Sequence, residues 1–232
     1  MSRSNAPLAL SVVTLTVPGN VEATVSRITE FDDRDFGFNH NQTWASLPLA
    51  LRGVLRPESV EGSFKMAPPR VQKCIVALCE LGLRSPRETM RFVDHPGAGL
   101  RAVESIDWDP EVRVRVKGSC WYMREDTPVI PMLQPRKAAL ELERLSVYML
   151  LARRAYCQGD WVDADLDLID LSGDEPVSAS VIAARDLAGV PEMTVNEYVH
   201  TFVAAKRKAD HLRTEREKIA PALPMAELLD LK

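Results

Sequence analysis

The chain has 232 residues, of which 46% are hydrophobic and 27% charged, and its formal net charge is −4. This balance excludes wholesale disorder and supplies apolar material for one large core or two small ones. It also excludes nucleic-acid binding by a uniformly basic surface, so any such contact must use a local patch.

Residues 8–17 are mostly apolar or β-branched. Pro18-Gly19-Asn20 supplies a turn, and Val21, Ala23 and Val25 then alternate with polar residues, which predicts a β-hairpin. An irregular stretch rich in Asp, Asn and Gly follows to Trp44, then a short helix over 47–55, entered by Pro48. Val71, Cys74, Ile75, Leu78 and Leu81 recur at three- and four-residue spacing, which predicts a helix stopping at Gly82. Ser85-Pro86-Arg87-Glu88 has capping-box form and predicts a second helix to about Val93, ended by His95-Pro96-Gly97. The two together form an expected αα-hairpin.

Strand character returns at 102–106 and is strictest at 111–117, where Val112, Val114 and Val116 alternate with charge. Another strand is expected from Cys120. Pro128, Pro131 and Pro135 mark 128–135 as a connector between an α+β part (1–127) and a helical part (136–232). A helix from Pro135 to about Cys157 is apolar on more than one face, as central helices are. After the acid-rich run 160–170, a helix-like segment 180–188, a turn at Gly189-Val190-Pro191 and a long helix over 194–219 close the chain. The expected fold is therefore α+β: a β-hairpin and antiparallel strands with the αα-hairpin, then a C-terminal helical bundle ending in a long helix.

The last two segments resemble a DNA-reading helix-turn-helix in outline. The resemblance weakens on inspection, because Arg185 stands where tight packing wants a small residue, and Glu192 and Glu197 would repel phosphate. A more regular signal is a seam of Val195, Tyr198, Phe202, Ala205, Ala209, Leu212 and Ile219, interrupted by Arg216. A helix of that span is ~39 Å long and needs a long partner, either the 135–157 helix or a helix of another subunit. Lys206, Arg207, Lys208 and Arg213 make its back basic, suited to solvent, to the acidic stretch from Asp160 to Glu175, or to a polyanion. On the strand, Arg113, Arg115 and Lys117 lie ~7 Å apart on one face, with Trp121 close by, a pattern that serves either single-stranded nucleic acid or protection of a sheet edge.

Asp163, Asp165 and Asp167 begin like a calcium loop, but Leu168 stands where that loop needs glycine. As a strand they would share one solvated face. Asp32, Asp33, Asp35 and His40 are a second acidic set, without diagnostic spacing. Cys74, Cys79, Cys120 and Cys157 form no C-x-x-C pair, which points to reduced thiols. Neither a leader nor a membrane-spanning run is visible, so a cytoplasmic protein is expected. No cofactor, metal ligand set or catalytic motif is assigned.

The leading expectation is a non-catalytic assembly subunit or adaptor that binds a protein partner, or a second copy of itself, through the C-terminal helices. The alternative is a nucleic-acid-associated accessory or regulatory protein using Arg113, Arg115, Lys117, Trp121 and the basic helix face. The third is a metal-dependent hydrolase built on the Asp32 set.

Overall fold

The computed structural model describes residues 6–32, 40–87, 89–92, 100–109, 112–187 and 189–219. Five helices come first: α1 (Ala9–Leu15), α2 (Val21–Asp32), α3 (Asn41–Leu51), α4 (Pro57–Ser63) and α5 (Pro69–Arg84). Strands β1 (Arg91–Phe92), β2 (Val103–Asp109), β3 (Val112–Lys117), β4 (Cys120–Arg124) and β5 (Thr127–Gln134) follow. Helix α6 (Leu142–Tyr156), strands β6 (Asp165–Asp170) and β7 (Ser180–Ala183) and helix α7 (Glu192–Ile219) complete the order, a mixed α+β architecture.

β2 and β3 form a two-stranded ribbon, and the other strands form a sheet in the order β1-β4-β5-β6-β7. Within that sheet only β5 and β6 run parallel. A parallel pair needs a crossover connection, and α6 supplies it. α6 also reaches both sheets: the Tyr148 hydroxyl donates to the Leu133 carbonyl at 3.4 Å, and the Tyr156 hydroxyl to the Val116 carbonyl at 3.1 Å. Leu145, Val147, Tyr148, Met149, Leu151, Ala152 and Tyr156 are buried, as the multi-faced apolar pattern anticipated.

The first correction concerns the N-terminus, where the expected β-hairpin is the helix pair α1 and α2. The turn is where the sequence puts it, but Asn20 uses its side-chain oxygen to accept the Ala23 N–H, capping α2. Val12, Val25 and Ile28 then face the core at helical spacing. The second correction is the αα-hairpin. α5 forms as expected, but Ser85 is its C-cap and donates its N–H to the Leu81 carbonyl. The chain then crosses to α3, with the Arg87 N–H on the Leu51 carbonyl, and enters β1. Glu88, Val93 and His95 to Gly97 lie outside the described residues.

The Pro-rich stretch expected as a connector is strand β5 at the middle of the sheet. Its register with β4 spans only 127–129, so Pro131 lies beyond the part paired on both sides, where a missing N–H costs less. A single buried cluster includes Val13, Val114, Leu133, Leu151 and Phe202, and so crosses the expected boundary between parts. The 180–188 segment is strand β7 followed by a 3₁₀ turn, paired antiparallel to β6 through Ile182 and Leu168. The helix-turn-helix therefore has no first helix, and strands β6 and β7 lie between α6 and α7 along the chain.

α3 and α5 cross in backbone contact at Gly82. A Cβ built there would lie 1.8 Å from the Ala50 carbonyl oxygen, so only glycine permits this approach. The crossing fixes where the N-terminus of α3 points.

Candidate anion-binding pocket

The N-terminus of α3, the C-terminus of α2, the start of α1, the end of β3 and the loop after β5 converge on a cavity of about 460 Å³. Leu8, Leu10, Phe31, Trp44 and Pro135 give it apolar walls, and Ser11, His40, Asn41, Lys117 and Arg136 supply the polar groups. A mainly apolar concavity with a few convergent polar groups is the usual form of a ligand site.

Among the described residues, each cation is held by contacts with neutral groups. Lys117 donates to the Asn41 side-chain oxygen at 2.6 Å and lies 5.7 Å from the centre of the Trp44 ring. The Arg136 guanidinium lies 5.3 Å from the centre of Phe31. Amide oxygens and ring faces attract cations without neutralising them. Among the described residues neither Lys117 nor Arg136 has a carboxylate partner. Burial lowers the pKa of both, which is the signature of charge held with little water around it.

His40 reports the same field. Burial and the nearby charges of Arg136 and Arg70 lower its pKa from 6.5 to about 4, so the imidazole is neutral at physiological pH. α3 has no acidic residue in its first turn, and its dipole adds positive potential on the side of His40 and Asn41. Among the described residues, the charged groups lining the pocket are thus the cations Lys117 and Arg136, set among apolar and aromatic walls.

Gln134 sets the position of Arg136. This fully buried side chain closes β5 by accepting the Arg136 N–H at 2.8 Å and donating to the Ala138 carbonyl at 2.9 Å. The loop 135–138 is thereby pinned, which is why α6 starts at Leu142 and not at Pro135.

The other basic residues are distributed differently. Arg113 is paired with Asp107, and Arg115 donates to the Ala6 carbonyl at 2.8 Å while Leu8 bridges to its backbone. The free side of β3 is thus covered by residues 6–8, and of its three cations only Lys117 reaches the pocket. Trp121, partly buried, packs in a T-shaped arrangement with Trp161, ring centres 5.1 Å apart, and its buried indole nitrogen has no hydrogen-bond partner among the described residues.

The α7 seam is filled from within the chain by α2 and α1. Val195, Tyr198, Phe202, Ala205 and Ala209 are buried, and the Tyr198 hydroxyl donates to Glu143 in the first turn of α6 at 2.9 Å. Leu212 is 38% exposed, and the side chain of Ile219 lies outside the described residues. The basic back of α7 is compensated: Lys206 and Arg213 share Asp210 at 2.7 and 3.2 Å, and Lys208 reaches Glu22 of α2 at 2.5 Å. Arg207 also has an interaction partner. The ion pairs of Lys206, Lys208 and Arg213 with Asp210 and Glu22 are made to α7 itself and to α2.

Within the acidic stretch from Asp160 to Glu175, Asp160 and Asp163 are exposed, but Asp165 and Asp167 do not form a solvated face. Asp167 is 2% exposed, accepts the Tyr122 hydroxyl and chelates Arg124 at 2.9 and 3.1 Å. Asp165 takes the other arm of Arg124 at 2.5 Å. Both carboxylates are thus committed to a cross-strand ion network between β4 and β6. Asp33, Asp35 and the side chain of Asp32 lie outside the described residues, and His40 of that set sits among cations. Among the described residues no cluster of His, Cys, Asp and Glu is arranged to hold a metal, and no helix is long and apolar enough to cross a membrane.

Comparison with protein-family models, with curated proteins and with solved structures finds no match. The pocket residues missed by sequence reading are Phe31, Trp44, Asn41, Arg136 and its positioning residue Gln134. Burial of an amide at the end of a strand was the one detectable signal, and it needs the fold to be seen.

Proposed function

We propose that the protein is a nucleic-acid-associated accessory protein that engages an unpaired strand at the Lys117–Arg136 pocket. The observation that supports this reading is the pair of cations without carboxylate partners among the described residues, set against Trp44 and Phe31. Positive charge interleaved with aromatic groups is the common chemistry of single-strand binding. A base paired in a duplex is not free to enter a cavity of about 460 Å³, so the strand must be unpaired there.

Fluorescence anisotropy of a labelled single-stranded oligonucleotide, titrated at several salt concentrations, tests the proposal. Removing two phosphate contacts reduces the salt slope by about 1.4 in log–log units. Lys117→Gln combined with Arg136→Gln should produce that change in a variant that retains its thermal transition. Unchanged affinity and slope would refute it.

A second reading, the assembly subunit, draws on a different observation. Residues 211–215 of α7 are exposed, and Leu212 is among them. A partner or a second copy would then contact this end of α7 rather than the buried seam. Light scattering on the wild type and on Leu212→Glu tests it: a monomer at every concentration, together with no change in the variant, counts against self-assembly.

A further inference from the structure

The same pocket, taken on the nucleic-acid reading, allows its ligand to be specified further. Two cations with no carboxylate partner among the described residues, Lys117 and Arg136, line one cavity beside the N-terminus of α3. The polar groups around them, His40, Asn41 and Ser11, carry no negative charge. An internal phosphodiester brings a single negative charge against the two cations Lys117 and Arg136. A phosphate monoester brings close to two at neutral pH, because its second pKa is about 6, and it has three terminal oxygens to share between an ammonium and a guanidinium. Leu8 and Leu10 line the cavity on the α1 side and Pro135 on the loop side. Phe31, 38% exposed at the cavity wall with Arg136 on its ring, offers a flat surface for a planar group attached to that phosphate.

We infer that the pocket binds a terminal nucleotide bearing a phosphate monoester, with Lys117 and Arg136 on the phosphate and Phe31 beside the base. This chemistry is shared by a free mononucleotide and by the phosphorylated end of a strand.

The experiment compares four probes on the wild-type chain by calorimetry or anisotropy competition: a 5′-phosphorylated oligonucleotide, the same strand with a 5′-hydroxyl, adenosine monophosphate and adenosine. The expected result is at least tenfold tighter binding of each phosphorylated probe than of its unphosphorylated counterpart. Lys117→Gln should remove most of that difference, and Phe31→Ala, at an already exposed position, should weaken the phosphorylated probes about fivefold or more. If adenosine monophosphate matches the phosphorylated strand, the source is the free nucleotide; if it binds far more weakly, the source is the strand end, and either supports the assignment. Equal binding of the phosphorylated and hydroxyl strands overturns this inference while leaving single-strand binding intact. Absence of binding by all four probes overturns both.

Discussion

Two regions of the molecule are basic, and they differ in what surrounds the charge. On α7, Lys206, Lys208 and Arg213 each face a carboxylate of Asp210 or Glu22, within 3.2 Å. In the pocket, Lys117 and Arg136 face an amide oxygen and two aromatic rings. A compensated pair is a dipole whose field falls quickly and is screened by salt; an uncompensated cation beside apolar walls keeps its reach. A run of lysine and arginine in the sequence is therefore a poorer guide to anion binding than two cations that arrive from distant segments and have no carboxylate partner among the described residues.

The largest effect expected from this contrast is on stability. If α7 is anchored by its buried seam and not by its charges, Phe202→Ala should cost about 3–5 kcal/mol, as other large-to-small aromatic substitutions in cores do. Urea denaturation would measure it, and a loss below about 1 kcal/mol would mean that the seam is not packed as described.

The next effect is on binding. Lys117→Gln with Arg136→Gln should weaken a single-stranded oligonucleotide at least tenfold, about 1.4 kcal/mol. Lys206→Gln, Lys208→Gln and Arg213→Gln together should change it less than twofold. The reverse ranking would place nucleic acid on α7 and dissolve the contrast. Gln134→Ala tests how Arg136 is held: it should lower affinity through the loop 135–138 while leaving the far-UV spectrum unchanged.

A smaller effect is a pH dependence of folding. The His40 pKa of about 4 lies below its ordinary value of 6.5, so between these pH values the unfolded chain binds a proton that the folded chain refuses. The stabilisation from neutral His40 is complete above pH 6.5 and is lost as pH falls towards 4. Because the ring is only half-buried, solvent screening reduces the contribution to about 1–2 kcal/mol. His40→Gln should flatten the stability profile in that window. Arg136→Gln should flatten it in part, since desolvation is the larger cause and Arg136 the next.

These tests address a site that the sequence reveals only in fragments. Strand β3 and helices α5 and α7 were readable because their apolar spacing has one dominant period. The strand expectation over 8–26 fails because Val21 and Val25 lie four apart, a step that fits both a two-residue and a helical period, and because 8–17 is a short apolar run without a single period. The deciding interaction was the Asn20 cap, and the α2 face it orients is completed only by α7, far along the chain. Ser85 has the residues of a capping box, yet its backbone closes the preceding helix because Arg87 is drawn to Leu51. Val181 and Ile182 pair with β6, a partner that local pattern cannot name. The pocket is the extreme case: Leu10, Phe31, His40, Lys117 and Arg136 come from five segments, and only the crossing at Gly82 and the Gln134 clamp bring them together.

The smallest effect concerns the ion pair that ties α7 to α2. Lys208 and Glu22 approach to 2.5 Å, but the side chains are 45% and 73% exposed. Water screens the attraction, and holding two long side chains in one geometry costs rotamer entropy, so exposed pairs contribute about 0.2–1 kcal/mol. Glu22 also sits in the first turn of α2, where its charge is favoured by the helix dipole by a comparable amount. A single Glu22→Gln substitution would mix the two. A double-mutant cycle with Lys208→Gln, followed by urea denaturation at low and high salt, separates them, because the dipole part survives removal of Lys208. A coupling below about 0.5 kcal/mol that vanishes at high salt is expected. A coupling that persists in salt would mean that this pair is shielded from solvent and helps the buried seam to hold α7 in place.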